Sequence, residues 1–343
     1  MAAEKPTSRV TLKELAQHLS LSPGTVSAVL NDIPSARISQ KTKERVLSAA
    51  RELNYLPNYF ARSLRNRRTH TIGVIAEELG DAYGSAVISG MEKFLRSRNY
   101  CFLTVIHRHD PVLLTRYAEM LIERGVEGFL TVDTRLPEAP SIPTVAVAGH
   151  HDLKNVTNVI LDHDHCARVA LVHLKELGHK QIAFMRGHVK SSDSADRWAA
   201  ILKVASELDI SIDPDLVIQI TSLDSTAQLG YPFAKELLSR GKTFTALFAY
   251  NDISALGAIR AFREEGLRVP EDISVIGVDD IQGAAFQVPS LTTVRQPLEQ
   301  MGVIAAEILI NRIESSKKFD RNVAIKPELV VRESTGPAKP NVH

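Results

Sequence analysis

From Thr71 onward the chain alternates short apolar runs with amphipathic stretches of ten residues or more, and few folds accept that rhythm. The runs are TIGVIA, CFLTVI, GFLTV, TVAVAG, NVILD, IAFM, LVIQI, ALFAY and ISVIGVD. Helical spacing is found over Ser85–Arg98, Pro111–Arg124, His165–Leu177, Ala195–Leu208, Thr226–Arg240 and Ile253–Glu265. Strands covered on both faces read as unbroken apolar runs, and helices between them imply parallel neighbours. More than eight such strands overload one twisted sheet, so the spacing predicts two Rossmann-like lobes. Ligands of such sheets sit beyond the carboxyl ends of the strands.

The segment before Thr71 has a different texture. VTLKELAQHLSLSPGTVSAVLN, from Val10 to Asn31, carries the start and stop signals of two short helices. Thr11 and Glu14 form a capping-box pair, and Val10 and Leu15 stand at the hydrophobic-staple positions. Leu12, Leu15, Ala16 and Leu19 share one face; Ser22 can cap again, and Pro23 suits the first helical position. Val26, Val29 and Leu30 then point inward, leaving Thr25, Ser27 and Ala28 outward. This is a helix-turn-helix pattern whose second helix can enter a DNA major groove. Ser39 can cap a third helix to about Asn54, with Val46, Ala49, Ala50 and Leu53 inside. After Pro57, a short helix is expected from Tyr59 to Leu64, followed by a linker.

The formal net charge of +1 conceals an asymmetry. The first 70 residues hold twelve basic and five acidic side chains, a net +7, and the remainder is net −6. A basic head on an acidic body points to a polyanion partner for the head. Two cysteines, Cys101 and Cys166, give neither a disulfide framework nor a zinc pattern. The amino terminus is polar and no apolar run approaches about 18 residues, so a cytoplasmic protein is expected.

The head, the linker and the body together resemble the LacI/GalR family of bacterial transcription regulators. The resemblance is carried by VTLKELAQHLSLSPGTVSAVLN, LNYLPNYFARSLR, HLKELGHKQIAF, NDISALGAIRAFREEGLRVPEDISVIGVDD and PSLTTVRQP. It implies a three-helix headpiece over 1–57, a hinge helix and linker over 58–70, and a two-lobed, periplasmic-binding-protein-like body over 71–343. Lobe 1 is expected over about 71–165 and 297–325, and lobe 2 over about 166–296 and 326–335. The implied protein is a homodimeric repressor on a palindromic operator, switched by a small polar effector between the lobes.

Carried over by position, the DNA-contacting set is Thr11, Ser22, Pro23, Gly24, Thr25, Ser27, Ala28, Asn31, Tyr55, Asn58, Ala61, Arg62 and Leu64. Thr25 and Ser27 are expected to hold phosphates, whereas Pro23, Gly24 and Ala28 lie where relatives read bases. Many relatives carry a basic residue at the position of Ala28, and alanine offers only apolar contact, for instance to a thymine methyl. Leu64 is the expected wedge into the minor groove, with Ala61 against its floor.

The same resemblance assigns the effector to Asp162, Arg197, Asn251 and Asp279, with Tyr83, Ser191 and Asp193 on the rim. Carboxylate, amide and guanidinium groups suit a polyhydroxylated, sugar-like molecule. Asn251 and Asp279 can serve as helix or turn caps as well, and Trp198 can stack on ligand or belong to the core. AspHisAspHisCys at 162–166 looks rich in metal ligands, but consecutive side chains diverge, and no metal or cofactor is expected. His107, His109, His150 and His151 read as scattered loop residues. No nucleophile elbow, P-loop or HExxH motif is present, so an enzyme is not expected. A transport-type solute-binding protein would lack the basic helical head. No heptad pattern follows Arg332, which argues against an added tetramerising coiled coil.

Overall fold

The computed structural model describes residues 10–31, 37–56, 68–78, 80, 82–149, 153–191, 193–223, 226, 228–315 and 320–339. It forms two compact units, Met1–Thr69 and His70–His343.

In the first unit, α1 (Leu12–His18), α2 (Pro23–Leu30) and α3 (Gln40–Glu52) surround a core of Leu15, Ala16, Leu19, Val26, Val29, Val46, Ala49 and Ala50. The local signals act as their chemistry dictates. Thr11 Oγ1 accepts the Glu14 amide while Glu14 accepts the Thr11 amide at 2.7 Å, closing the capping box. Ser22 Oγ accepts the Thr25 amide at 3.1 Å, and Ser39 Oγ accepts that of Thr42 at 3.2 Å. The turn between α1 and α2 bends through Ser20, whose φ of 54° lies in the left-handed region. There the Ser20 amide reaches the Gln17 carbonyl and the Leu21 amide reaches that of Ala16, a Schellman stop to the helix. The expected helix at Tyr59–Leu64 lies outside the described residues.

The second unit holds two six-stranded sheets of matching strand order. Lobe 1 is built from β1 (Thr71–Ala76), α4 (Ala82–Ser97), β2 (Cys101–Ile106), α5 (Pro111–Glu123), β3 (Phe129–Val132), β4 (Thr144–Val147) and β5 (Val156–Leu161). Lobe 2 follows with α6 (His163–Glu176), β6 (Ile182–Arg186), α7 (Ser194–Glu207), a 3₁₀ turn (Pro214–Leu216) and β7 (Val217–Gln219). It continues through α8 (Tyr231–Ser239), β8 (Ala246–Phe248), α9 (Asp252–Glu264), β9 (Ser274–Asp279), α10 (Gln282–Phe286) and β10 (Thr292–Arg295). The chain returns to lobe 1 through α11 (Leu298–Ser315) and β11 (Asn322–Ile325), and ends in lobe 2 with β12 (Glu328–Val330). The sheet orders are β11-β5-β4-β3-β1-β2 and β12-β10-β9-β8-β6-β7, so each lobe takes its edge strand late and from across the molecule.

Three expectations are corrected by these elements. Lobe 2 is not purely parallel, because β12 runs antiparallel to β10. The helix expected from Thr226 begins at Tyr231, where Pro232 sits in the first turn. The run CFLTVI is not buried on both faces: β2 is an edge strand, and Cys101 and Leu103 are exposed. In lobe 1, α4 and α11 touch backbone to backbone. A Cβ at Gly90 would fall 1.9 Å from the Glu299 carbonyl oxygen, and one at Gly302 would fall 2.0 Å from that of Val87. The final segment straps lobe 2: Ser334 is fully buried between Val275 and Thr292, and His179 Nε2 pairs with the Gly336 carbonyl at 3.0 Å.

Candidate functional site

Two sites follow from the sequence, one in each unit. In the headpiece, α2 displays its first turn: Ser22, Pro23 and Gly24 are exposed, and Thr25, Ser27 and Ala28 are half-buried. Several of these side chains already have partners. The Ser22 and Thr25 hydroxyls bond each other at 2.9 Å, and Asn31 Nδ2 donates to the Ser27 carbonyl at 2.6 Å. Each keeps a further acceptor or donor for a phosphate or base edge. Thr11 is exposed too, and Lys13, Arg37, Lys41, Arg45 and Arg51 are exposed cations of the same unit. Tyr55 is half-buried against the core, where desolvation raises its phenol above the ordinary value. Asn58, Ala61, Arg62 and Leu64 lie outside the described residues.

In the body, the carboxyl ends of both sheets face a cleft with an interior volume of about 120 Å³. Lobe 1 supplies Glu77 and Glu78 after β1, Tyr83 and Gly84 from α4, His109 after β2, and Asp133 after β3. Lobe 2 supplies His188, Ser191, Ser222, Tyr250, Asn251 and Asp279 over an aliphatic floor of Ile220, Leu223, Leu229, Ile253 and Ile281.

Of the expected effector residues, Tyr83, Ser191, Asn251 and Asp279 line this cleft. Asn251 also caps α9, its Oδ1 accepting the Ser254 amide at 2.9 Å, so the two roles coincide. Asp279 is 5% exposed, with a φ of 119°, a strained backbone for a non-glycine residue. Its carboxylate accepts Gln296 Nε2 at 2.6 Å. Burial first, then the nearby Asp252 charge, holds this carboxyl well above its usual range, against the pull of Arg197. Asp252 is fully buried, bonded to the Thr293 hydroxyl at 2.5 Å and the Ile281 amide at 2.9 Å; burial pushes it up to about 7.

Arg197 and Asp193 are placed differently from the expectation. They sit behind the wall rather than in it, paired to each other. Arg197 also donates to the Tyr250 carbonyl at 2.5 Å and lies over the Tyr250 ring at 4.6 Å, while Tyr250 Oη donates to Asp193 at 2.5 Å. Burial works against the charge on Arg197, and Asp193 and Tyr250 more than offset it, so the guanidinium is held more firmly protonated. Gly187 makes the arrangement possible, since a Cβ there would fall 2.3 Å from the Tyr250 ring. Asp162 caps α6 by accepting the His165 amide at 2.9 Å and does not line the cleft. Trp198 belongs to the lobe 2 core, edge-on to Phe184 at 5.9 Å.

The AspHisAspHisCys stretch disperses. Asp164 pairs with Lys203, and Cys166 enters the core, where burial pushes its thiol up to about 12. Among the described residues no three His, Cys, Asp or Glu side chains gather as a metal site requires. Nor is His109 a bystander. Arg108 and His109 both take left-handed backbone, φ 48° and 59°, which turns the imidazole onto Glu77 at the cleft wall. His107 is buried, with Nε2 3.1 Å from the Thr134 hydroxyl. His150 and His151 lie outside the described residues. Glu77, Glu78, His109, Asp133, His188 and Tyr250 went unselected in the sequence; their shared signal is position just past a strand end.

A capped helix-turn-helix unit followed in the chain by two α/β lobes around a polar cleft is an architecture found in known proteins. Residues 11–58 match the bacterial regulatory proteins of the lacI family, and residues 171–335 match a periplasmic binding protein-like domain. The HTH-type transcriptional repressor PurR of Haemophilus influenzae is 34% identical over 337 residues, covering 94% of this chain and 98% of its own. The chain belongs to the lacI family. PurR of Klebsiella pneumoniae is 30% identical over 333 residues, with 94% and 96% covered. The lac repressor dimer bound to operator and the anti-inducer ONPF aligns with a TM-score of 0.86 at 27% identity, covering 96% of this chain and all of that one. The complex of the transcriptional regulator CelR with cellobiose aligns at 0.71 and 28% identity, over 95% of this chain and all of that one. This lacI-family member is thus a DNA-binding transcriptional repressor with an effector-binding body, not an enzyme.

Proposed function

We propose that the protein represses transcription as a homodimer, each headpiece reading half of a near-palindromic operator, under control of a sugar-like effector held between the lobes. The observation that carries this reading is the cleft. It is lined from the strand ends of both lobes, so a ligand touching both walls favours one lobe arrangement over another. Asn251, Asp279, Ser191 and the two tyrosines offer donors and acceptors suited to hydroxyl groups, and the CelR–cellobiose complex supplies a relative with a sugar bound. A coupling of roughly 1–3 kcal/mol between effector and operator suffices for a 5- to 150-fold change in affinity.

Exposed apolar side chains that a second copy can cover lie in two places. One is the β2 edge, with Leu103 38% exposed; the other holds Phe286 at 81% and Val288 at 73% after β9. The hinge assignment rests on family position alone. Leu64→Ser is expected to weaken operator binding at least tenfold with effector affinity unchanged; equal operator affinity removes Leu64 from the interface.

The deciding experiment is operator binding by the full chain on fragments of its own upstream region, with sugars and nucleosides added singly. Specific binding lost with one compound makes that compound an inducer, and specific binding gained makes it a corepressor. No preference over random DNA under any condition overturns the reading.

A further inference from the structure

The wall that lobe 1 turns toward the effector is acidic. Glu77, Glu78 and Asp133 stand on it, and Asp279 faces them from lobe 2. These groups converge: burial, with the charges of Asp133, Asp193 and Asp279 added, holds the Tyr83 phenol well above its usual range. Lining groups able to carry positive charge are limited, among the described residues, to His109 and His188. His109 is engaged by Glu77, and His188 Nδ1 accepts the Lys190 amide at 3.0 Å. Burial disfavours the protonated form of both imidazoles. Arg197, the one arginine close behind the wall, has Asp193 and the Tyr250 carbonyl as partners and is 4% exposed. Lys190 is exposed on the rim and outside the lining.

Among the described lining residues, an anion in this cleft meets carboxyl groups from lobe 1 and Asp279 from lobe 2, and the two imidazoles are disfavoured as cations. A hydroxyl-rich or amine-bearing molecule meets acceptors instead. The cleft marks the site; the acids decide what enters it. Resting on the reading of this cleft as the effector site, we propose that Glu78 and Asp133 set the charge class of the effector. They admit neutral or amino sugars and exclude sugar phosphates and sugar acids.

Titration of the full chain with matched sets tests this. Each set presents glucose, galactose or mannose as the parent sugar, the 2-amino sugar, the uronate and the 6-phosphate, with binding followed by calorimetry and melting temperature. In a set that binds, the parent or amine is expected to bind at least a hundredfold more tightly than the uronate and phosphate. The double variant Glu78→Gln, Asp133→Asn is expected to narrow that ratio below tenfold. Asparagine tolerates the left-handed backbone of Asp133, φ 44°, so the turn survives the change. A phosphate or uronate that binds as tightly as its parent overturns the proposal, and so does a ratio unmoved in the double variant. Silence in every set also overturns it. The effector-cleft reading would then stand or fall separately, on the operator assay with its wider panel.

Discussion

The two lobes share one strand order and differ in what they place at their strand ends. Lobe 2 builds a buried cluster in which Asp193, Arg197 and Tyr250 bond one another behind the cleft, with Asp252 fully buried beneath β9. Lobe 1 leaves its charges at the surface of the cleft, with Glu78 exposed and Glu77, His109 and Asp133 only partly covered. The same topology therefore serves two purposes. Buried polar groups bonded to each other fix a shape, while those at the cleft surface are within reach of a ligand.

Substitutions can break that contrast. The largest effect is expected at Arg197→Met, which leaves Asp193 buried without its cation. Loss of one partner of a buried pair costs about 3–5 kcal/mol, measurable as a fall in the urea midpoint. A loss below about 1 kcal/mol would show that the lobe 2 cluster does not depend on this pair.

Next comes His107, in lobe 1, whose ring burial lowers to about 4 from an ordinary 6.5. The unfolded chain takes up this proton more readily than the native state. The associated stability is therefore complete above pH 6.5 and is lost as pH falls toward 4. Between pH 7 and pH 5 the wild type should lose roughly 2 kcal/mol more than His107→Gln, by about 1.36 kcal/mol per unit of separation. Differencing two proteins cancels the opposite contribution of Asp252, which burial raises. Parallel losses would place His107 in a wetter setting than its burial implies.

Asp162→Ala sharpens the boundary between the lobes. Loss of the α6 cap should cost about 1 kcal/mol and leave effector affinity alone. A tenfold drop in effector affinity would instead bring Asp162 into the cleft. The smallest stability change is expected at Glu78→Gln, within about 0.5 kcal/mol because the side chain is exposed. Its effect should lie in ligand choice alone, and a large stability change would give it a structural role.

How much could be read in advance follows the range of the interactions. The headpiece was legible because its determinants are three or four residues apart: Thr11 with Glu14, Ser22 with Thr25, Ser39 with Thr42. The alternation of runs and helices was legible for the same reason. Of the cleft lining, family position marked Tyr83, Ser191, Asn251 and Asp279. Glu77, His109 and Asp133 come from three different strand ends, and nothing local in the chain announces that they meet. Arg197 lies behind the lining because its i, i+4 partner Asp193 and the Tyr250 carbonyl both hold it, and the second of these is remote in the chain. The antiparallel β12 escaped because three residues carry no periodicity to detect.

Both sheets are closed by strands from residues 322–330. A chain emerging from the ribosome can complete its headpiece early, since α1 to α3 need nothing beyond residue 56, but neither lobe can finish until nearly the whole sequence has been made. Truncated or stalled chains therefore carry a DNA-reading unit without a sensor.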